Sequence, residues 1–101
     1  MKDIDEFQER LFAWSGATFG NRDRPDGPLN HLKKECDEAI ANPDDIMEFA
    51  DMQMLLCDAA SRAGHKMSAV LEAAERKLEI CRKRKWEPLN EAGFSEHVRD
   101  D

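Results

Sequence analysis

The sequence predicts an all-α fold. Apolar residues recur three and four positions apart along most of the chain, and no segment alternates apolar with polar residues as a strand does. The breaks in that rhythm fall where Gly, Pro and Asn collect. At 101 residues the chain fits one domain, residues 1–101, with limited capacity to bury a core of its own.

Ile4, Phe7, Leu11 and Trp14 follow Asp3, a good N-cap, and predict a first helix to about residue 15. Residues 16–28 carry three glycines, two prolines and Asn21 and read as an ordered loop. Pro28 suits the first turn of a second helix bearing Leu29, Leu32, Cys36, Ala39 and Ile40, which stops at Asn42-Pro43. A third helix is expected over about residues 44–63, closed by Gly64 as a left-handed cap. Ser68 is placed to cap a fourth, with Val70, Leu71, Ala74, Leu78 and Cys81 as its buried stripe. The pattern fades after Trp86, and residues 99–101 read as a frayed tail. The prediction is four helices in a bundle.

Composition narrows the function classes. Charged residues make up 37% of the chain and the net charge is −7, which argues against unspecific affinity for nucleic acid polymers or anionic membranes. With no long apolar run and no signal-peptide pattern, a soluble cytoplasmic protein is expected. The three cysteines, Cys36, Cys57 and Cys81, lack Cys-x-x-Cys spacing and read as reduced, buried thiols.

The chemistry lies in two acidic pairs, Glu35-x-x-Glu38 and Glu48-x-x-Asp51. Residues three apart share a helix face, and the turn at Asn42-Pro43 folds the two helices back so that all four carboxylates converge. Such a group needs positive charge to hold it together, and Mg²⁺ or Mn²⁺ is the economical answer, since hard cations prefer carboxylate oxygens and accompany phosphate substrates. The third helix strengthens this reading, because it is apolar around most of its circumference and so expected to be buried on several sides. Glu48, Asp51 and Asp58 nevertheless fall within a sector of about 80° on it. Asp58 has a simpler partner in Arg62, four residues on. Trp14 and Phe19 border the glycine-rich segment, and Asn30 and His31 open the second helix, with His31 on the face of Glu35. These positions could contact a substrate held beside the acids. His31 could equally bond a carboxylate, and Trp14 could equally belong to the core.

The segments Gly27-Pro28-Leu29-x-His31-Leu32-x-Lys34-Glu35-x-x-Glu38, Glu48-x-x-Asp51, Arg62-Ala63-Gly64, Lys77-Leu78, Arg84-Lys85-Trp86 and Glu96-His97-Val98 resemble the dATP/dGTP diphosphohydrolase family. That family is a mostly phage and prophage branch of the MazG-like all-α nucleoside triphosphate pyrophosphohydrolases, and the similarity covers about residues 14–98. Where many members of the superfamily carry a further acid before the first pair, this chain has Lys34, which leaves the number of metal ions open. The resemblance implies a MazG-like four-helix bundle that hydrolyses a purine (deoxy)nucleoside triphosphate to the monophosphate and pyrophosphate. It implies that Glu35, Glu38, Glu48 and Asp51 are the catalytic Mg²⁺ or Mn²⁺ ligands. Lys77 and Arg84, seven residues apart, would hold the outgoing phosphates, or would simply belong to a solvated basic helix end. A non-catalytic helical interaction module, or a phosphohydrolase acting on another nucleotide ester, is the alternative.

A homo-oligomer, dimer or tetramer, is expected as well. So short a chain cannot cover the apolar girth of the third helix alone, and the resemblance implies the same. Met54, read as lying about 120–180° from the acidic stripe, is the expected centre of that interface.

Overall fold

The computed structural model describes residues 3–20 and 24–98 and contains four helices, α1 (Ile4–Phe19), α2 (Asp26–Ala41), α3 (Ile46–Arg62) and α4 (Met67–Lys83). The chain divides into two compact units, Met1–Val70 and Leu71–Asp101. The expected loop position Asn21 and the tail 99–101 lie outside the described residues.

In the first unit α3 packs against both α2 and α1. Asp3 caps α1 as expected, its side chain accepting from the Asp5 amide. The helix then runs four residues beyond the predicted end, to Phe19, and stops at Gly20 with φ +93°. Gly16 is thus helical rather than part of a loop, since one glycine costs a helix only about 1 kcal/mol and Leu11 and Ser15 bury the same face. α2 likewise starts two residues before Pro28, at Asp26. The expected loop over residues 16–28 is therefore much shorter.

α3 begins after Asp45, whose carboxylate accepts from the Met47 amide. It ends as predicted at Gly64, where φ is +87° and His65 N–H reaches back to the Ala60 carbonyl at 2.8 Å. The start of α4 departs from the sequence reading. Ser68 is not its cap; the helix begins at Met67, and its first amides are satisfied by side chains of α1. Gln8 accepts from Met67 N–H at 2.8 Å, and Asp5 accepts from both the amide and the hydroxyl of Ser68. These bonds hold the Asp5 carboxyl below its usual range.

Gln8 does more than cap. It is 5% exposed, and its amide nitrogen donates to the carbonyls of Cys57 and His65 at 3.2 and 3.0 Å. One side chain thereby joins α1 to the end of α3 and the start of α4, next to the small core of Leu11, Cys57, Ala60 and Met67. Gln8→Leu should remove three hydrogen bonds to backbone groups and lower stability by about 2–4 kcal/mol. In denaturant titration the midpoint should fall with an unchanged slope.

The apolar stripes are barer than predicted. Leu71 and Leu78 on α4 are 52% and 54% exposed rather than buried, and Cys81 is only half-buried. Cys36 is also half-buried, leaving Cys57 as the one cysteine that is a sealed core residue. On α3 the expected burial on several sides fails at Met47 and Phe49, which are 62% and 52% exposed. A single chain of this length has too few helices to cover them.

In the second unit, α4 gives way after Lys83 to a short reversal. Trp86 and His97 form an isolated antiparallel bridge with their rings edge-to-face at 5.8 Å. The turn between closes at Gly93, φ +90°, with Asn90 N–H bonded to the Phe94 carbonyl at 2.8 Å. Trp86 Nε1 donates to the Cys81 carbonyl at 2.8 Å. No helix among the described residues is long and apolar enough to cross a membrane.

Candidate active site

The brief turn between α2 and α3 decides where the acids meet. Asp45 N–H returns to the Asn42 carbonyl at 3.2 Å and Glu48 N–H to the Asp45 carbonyl at 3.1 Å, so α3 reverses immediately alongside α2. Glu38, in the last turn of α2, thus faces Glu48, in the first turn of α3, with Glu35 one turn further back. Carboxylate oxygens of Glu35, Glu38 and Glu48 lie within 4.8 Å of one another. Asp51 is not part of that group; it is exposed one turn along α3 and, with Glu35, lines a neighbouring cavity. The structure therefore brings three of the four sequence-predicted carboxylates into one cluster and sets the fourth at the cavity wall.

The electrostatics are those of a site lacking positive charge. The Glu35 carboxyl, by a shared proton and then by its charge, pushes Glu38 above the ordinary carboxyl range; burial does so for Glu48, reinforced by Glu38, Asp45 and Asp51. Oε2 of Glu35 and Oε2 of Glu48 are buried without a hydrogen-bond partner. A buried carboxylate oxygen with nothing to accept from is costly unless a cation takes the place of the missing donor. Three hard oxygen donors with two such orphaned atoms fit Mg²⁺ or Mn²⁺.

The raised carboxyls make stability depend on pH. A folded-state value above the unfolded one disfavours the charged form, so the penalty is absent at low pH, sets in as pH rises past the ordinary 4.5, and is complete above the raised value. In chelator-treated protein, Glu48→Gln should melt higher than the parent at pH 7 and at nearly the same temperature at pH 4. Thermal CD scans at the two pH values check this.

The cavity encloses about 540 Å³, within the range of small-molecule sites. Its walls are Leu11, Trp14 and Phe19 of α1, Pro28 of α2, and Met54 and Leu55 of α3. Trp14 and Phe19 meet edge-to-face at 5.5 Å. His31 lines the cavity and its Nε2 sits 3.1 Å from Oε1 of Glu35, which realises the carboxylate contact open to it in the sequence. Asn30 is exposed and is not among the lining residues. Lys77 on α4 is exposed and Arg84 just beyond it half-buried; both belong to the second unit. Met54 stands as a correction, because at 100° per residue it lies about 60° from Asp51 and about 40° from Asp58. It lines the cavity beside the acids instead of opposing them.

Asp58 and Arg62 also form part of the cavity lining, and their predicted ion pair is present at 3.0 Å. Arg62 donates through Nε to Oδ1 and through Nη2 to Oδ2, and Ser15 Oγ donates to Oδ2 at 3.4 Å. Sequence reading treated this pair as structural and did not place it at a site. Asp58 is seven residues after Asp51, so their shared helical face was legible, but the cavity they line forms only once α1 packs against α3.

Residues 7–101 match the dATP/dGTP pyrophosphohydrolase family. The chain is 42% identical over 87 residues to the Eaa protein of Salmonella phage P22, a stretch covering 86% of this chain and 27% of that protein. It is 36% identical over 98 residues to a dATP/dGTP diphosphohydrolase of Salmonella phage PMBT28, covering 96% of this chain and 32% of the relative. The chain thus spans about a third of the length of these relatives. Among solved structures it is similar to the cyanophage S-2L MazG-like pyrophosphohydrolase bound to dGDP and three catalytic Mn²⁺ ions per active site. That similarity has a TM-score of 0.80 at 32% identity and covers 98% of this chain and 100% of the other. The four-helix all-α architecture is the MazG-like fold, and the chain belongs to the dATP/dGTP pyrophosphohydrolase family.

Proposed function

We propose that this protein hydrolyses purine deoxynucleoside triphosphates to the monophosphate and pyrophosphate with Mg²⁺ or Mn²⁺. The observation that carries the reading is the carboxylate cluster with its two orphaned buried oxygens, contiguous through Glu35 with an apolar cavity of nucleotide size. Family membership and the neighbour bound to dGDP and Mn²⁺ support the substrate class and the metal.

Glu35, Glu38 and Glu48 would hold the cation, with Asp51 completing the set from the cavity side. A divalent ion bound there neutralises phosphate charge and makes water a stronger nucleophile near neutral pH. His31 fixes one oxygen of Glu35 and so limits the rotamers that carboxylate can take. Asp51, exposed at the cavity wall, is the carboxylate best placed to orient the attacking water. Trp14, Phe19 and Leu55 offer the base an apolar bed, and exclusion of water there strengthens the polar contacts of the phosphate end. Lys77 and Arg84 are proposed phosphate contacts on the strength of their charge; Lys77→Ala and Arg84→Ala should each raise KM more than they lower kcat. Asn30, on the exposed first turns of α2, is the weakest of the proposed substrate contacts.

The working unit is proposed to be a homo-oligomer, dimer or tetramer, acting in the cytoplasm of the cell, the host cell if the gene is phage-borne. The exposed apolar residues of α3 and α4 support assembly. Incubation with each NTP and dNTP plus Mg²⁺ or Mn²⁺, with product identification, tests the activity. Turnover of dGTP or dATP that chelator abolishes is expected; inertness towards the whole panel would overturn the reading.

A further inference from the structure

The cavity is chemically divided along α3. Asp51 stands at one end, Met54 and Leu55 occupy the middle, and Asp58 follows two turns on, about 10 Å away along the axis. A nucleotide has the same order: charged phosphates, then an apolar ring face, then a polar base edge. Asp58 is 9% exposed and the Arg62 side chain 4%, so two charges are held at the far end of an otherwise apolar wall. An apolar pair of similar volume would be no less stabilising, so fold stability alone does not explain an ion pair at this position.

We propose that Asp58 reads the base, accepting a hydrogen bond from the 2-amino group of guanine, with Arg62 and Ser15 as the positioning residues that fix its carboxylate. This rests on the nucleotide reading above. A carboxylate has about four acceptor positions, and the two Arg62 bonds and the Ser15 bond engage three, leaving one on Oδ1. The Arg62 fork is rigid and planar, so Asp58 is held in one orientation facing the cavity it lines. Arg62 Nη1 extends towards the Arg24 carbonyl at 3.5 Å, a bond long enough for a base carbonyl to compete for that donor. Guanine presents its 2-amino donor and a carbonyl on one edge; adenine and hypoxanthine lack that donor and so forgo the bond. Xanthine replaces the 2-amino donor with an oxygen, so it should be refused by Asp58 and accepted by an amide.

Equilibrium binding of dGDP, dXDP, dIDP and dADP to the Mn²⁺-loaded protein tests this without requiring turnover. The parent should bind dGDP about tenfold or more tighter than each of the other three. Asp58→Asn should invert the dGDP-to-dXDP preference, whereas a purely structural strut would weaken all four ligands by one factor and leave their ratios unchanged. Should Asp58→Asn fail to fold, the parent alone decides, because equal affinity for dGDP and dIDP would overturn the proposal. Selective dGDP binding without hydrolysis of dGTP would sustain base reading and remove the hydrolase reading; no nucleotide binding would remove both.

Discussion

Glu35→Gln, Glu38→Gln, Glu48→Gln and Asp51→Asn are each expected to lower kcat/KM for dGTP by about 10³-fold or more while leaving helical CD unchanged. Each replacement removes a negative oxygen donor at nearly constant shape. Losing metal-borne stabilisation of transition-state charge forfeits several kcal/mol, and about 4 kcal/mol corresponds to that factor. The variants should also separate by mechanism. In Glu35→Gln and Glu48→Gln the orphaned buried oxygens are affected directly, so Mn²⁺ should no longer raise the melting temperature. Asp51→Asn, outside the three-carboxylate cluster, should retain part of that metal-dependent stabilisation yet lose turnover. Near-parental activity in two of the four variants would remove the site.

The second large effect concerns assembly. Phe49 and Leu56 are seven residues apart on α3, 52% and 38% exposed, and about 140–180° from Asp51 and Asp58. They replace Met54 as the expected centre of a subunit interface. Phe49→Lys should weaken self-association by about 30-fold or more, because a central aromatic truncated at an interface commonly costs about 2 kcal/mol or more. Folding of the single chain should survive, since Phe49 has little to lose there. Sedimentation across a concentration series measures this. A parent that stays monomeric and active at micromolar concentration would contradict the oligomer.

Helix number, the turn at Asn42-Pro43 and the Gly64 cap were legible because each has a local cause: periodicity, proline and a left-handed residue. The start of α4 was not, because its amides are satisfied by Gln8 and Asp5, about sixty residues earlier in the chain. The convergence of Glu35, Glu38 and Glu48 followed from spacing alone, as a short turn leaves few ways to pack two helices. The separation of Asp51 did not, since one residue's place between cluster and cavity depends on how α2 and α3 pack. Asp58–Arg62 was legible as a pair but not as cavity lining, because Ser15 and Trp14 reach the same space from α1 only after folding.

Hydrolysis of dGTP in ¹⁸O-labelled water with Mn²⁺ tests the central claim most directly. The expected result is one label in the deoxynucleoside monophosphate with unlabelled pyrophosphate released, which places attack at the α-phosphorus. Release of orthophosphate together with the diphosphate would contradict the account.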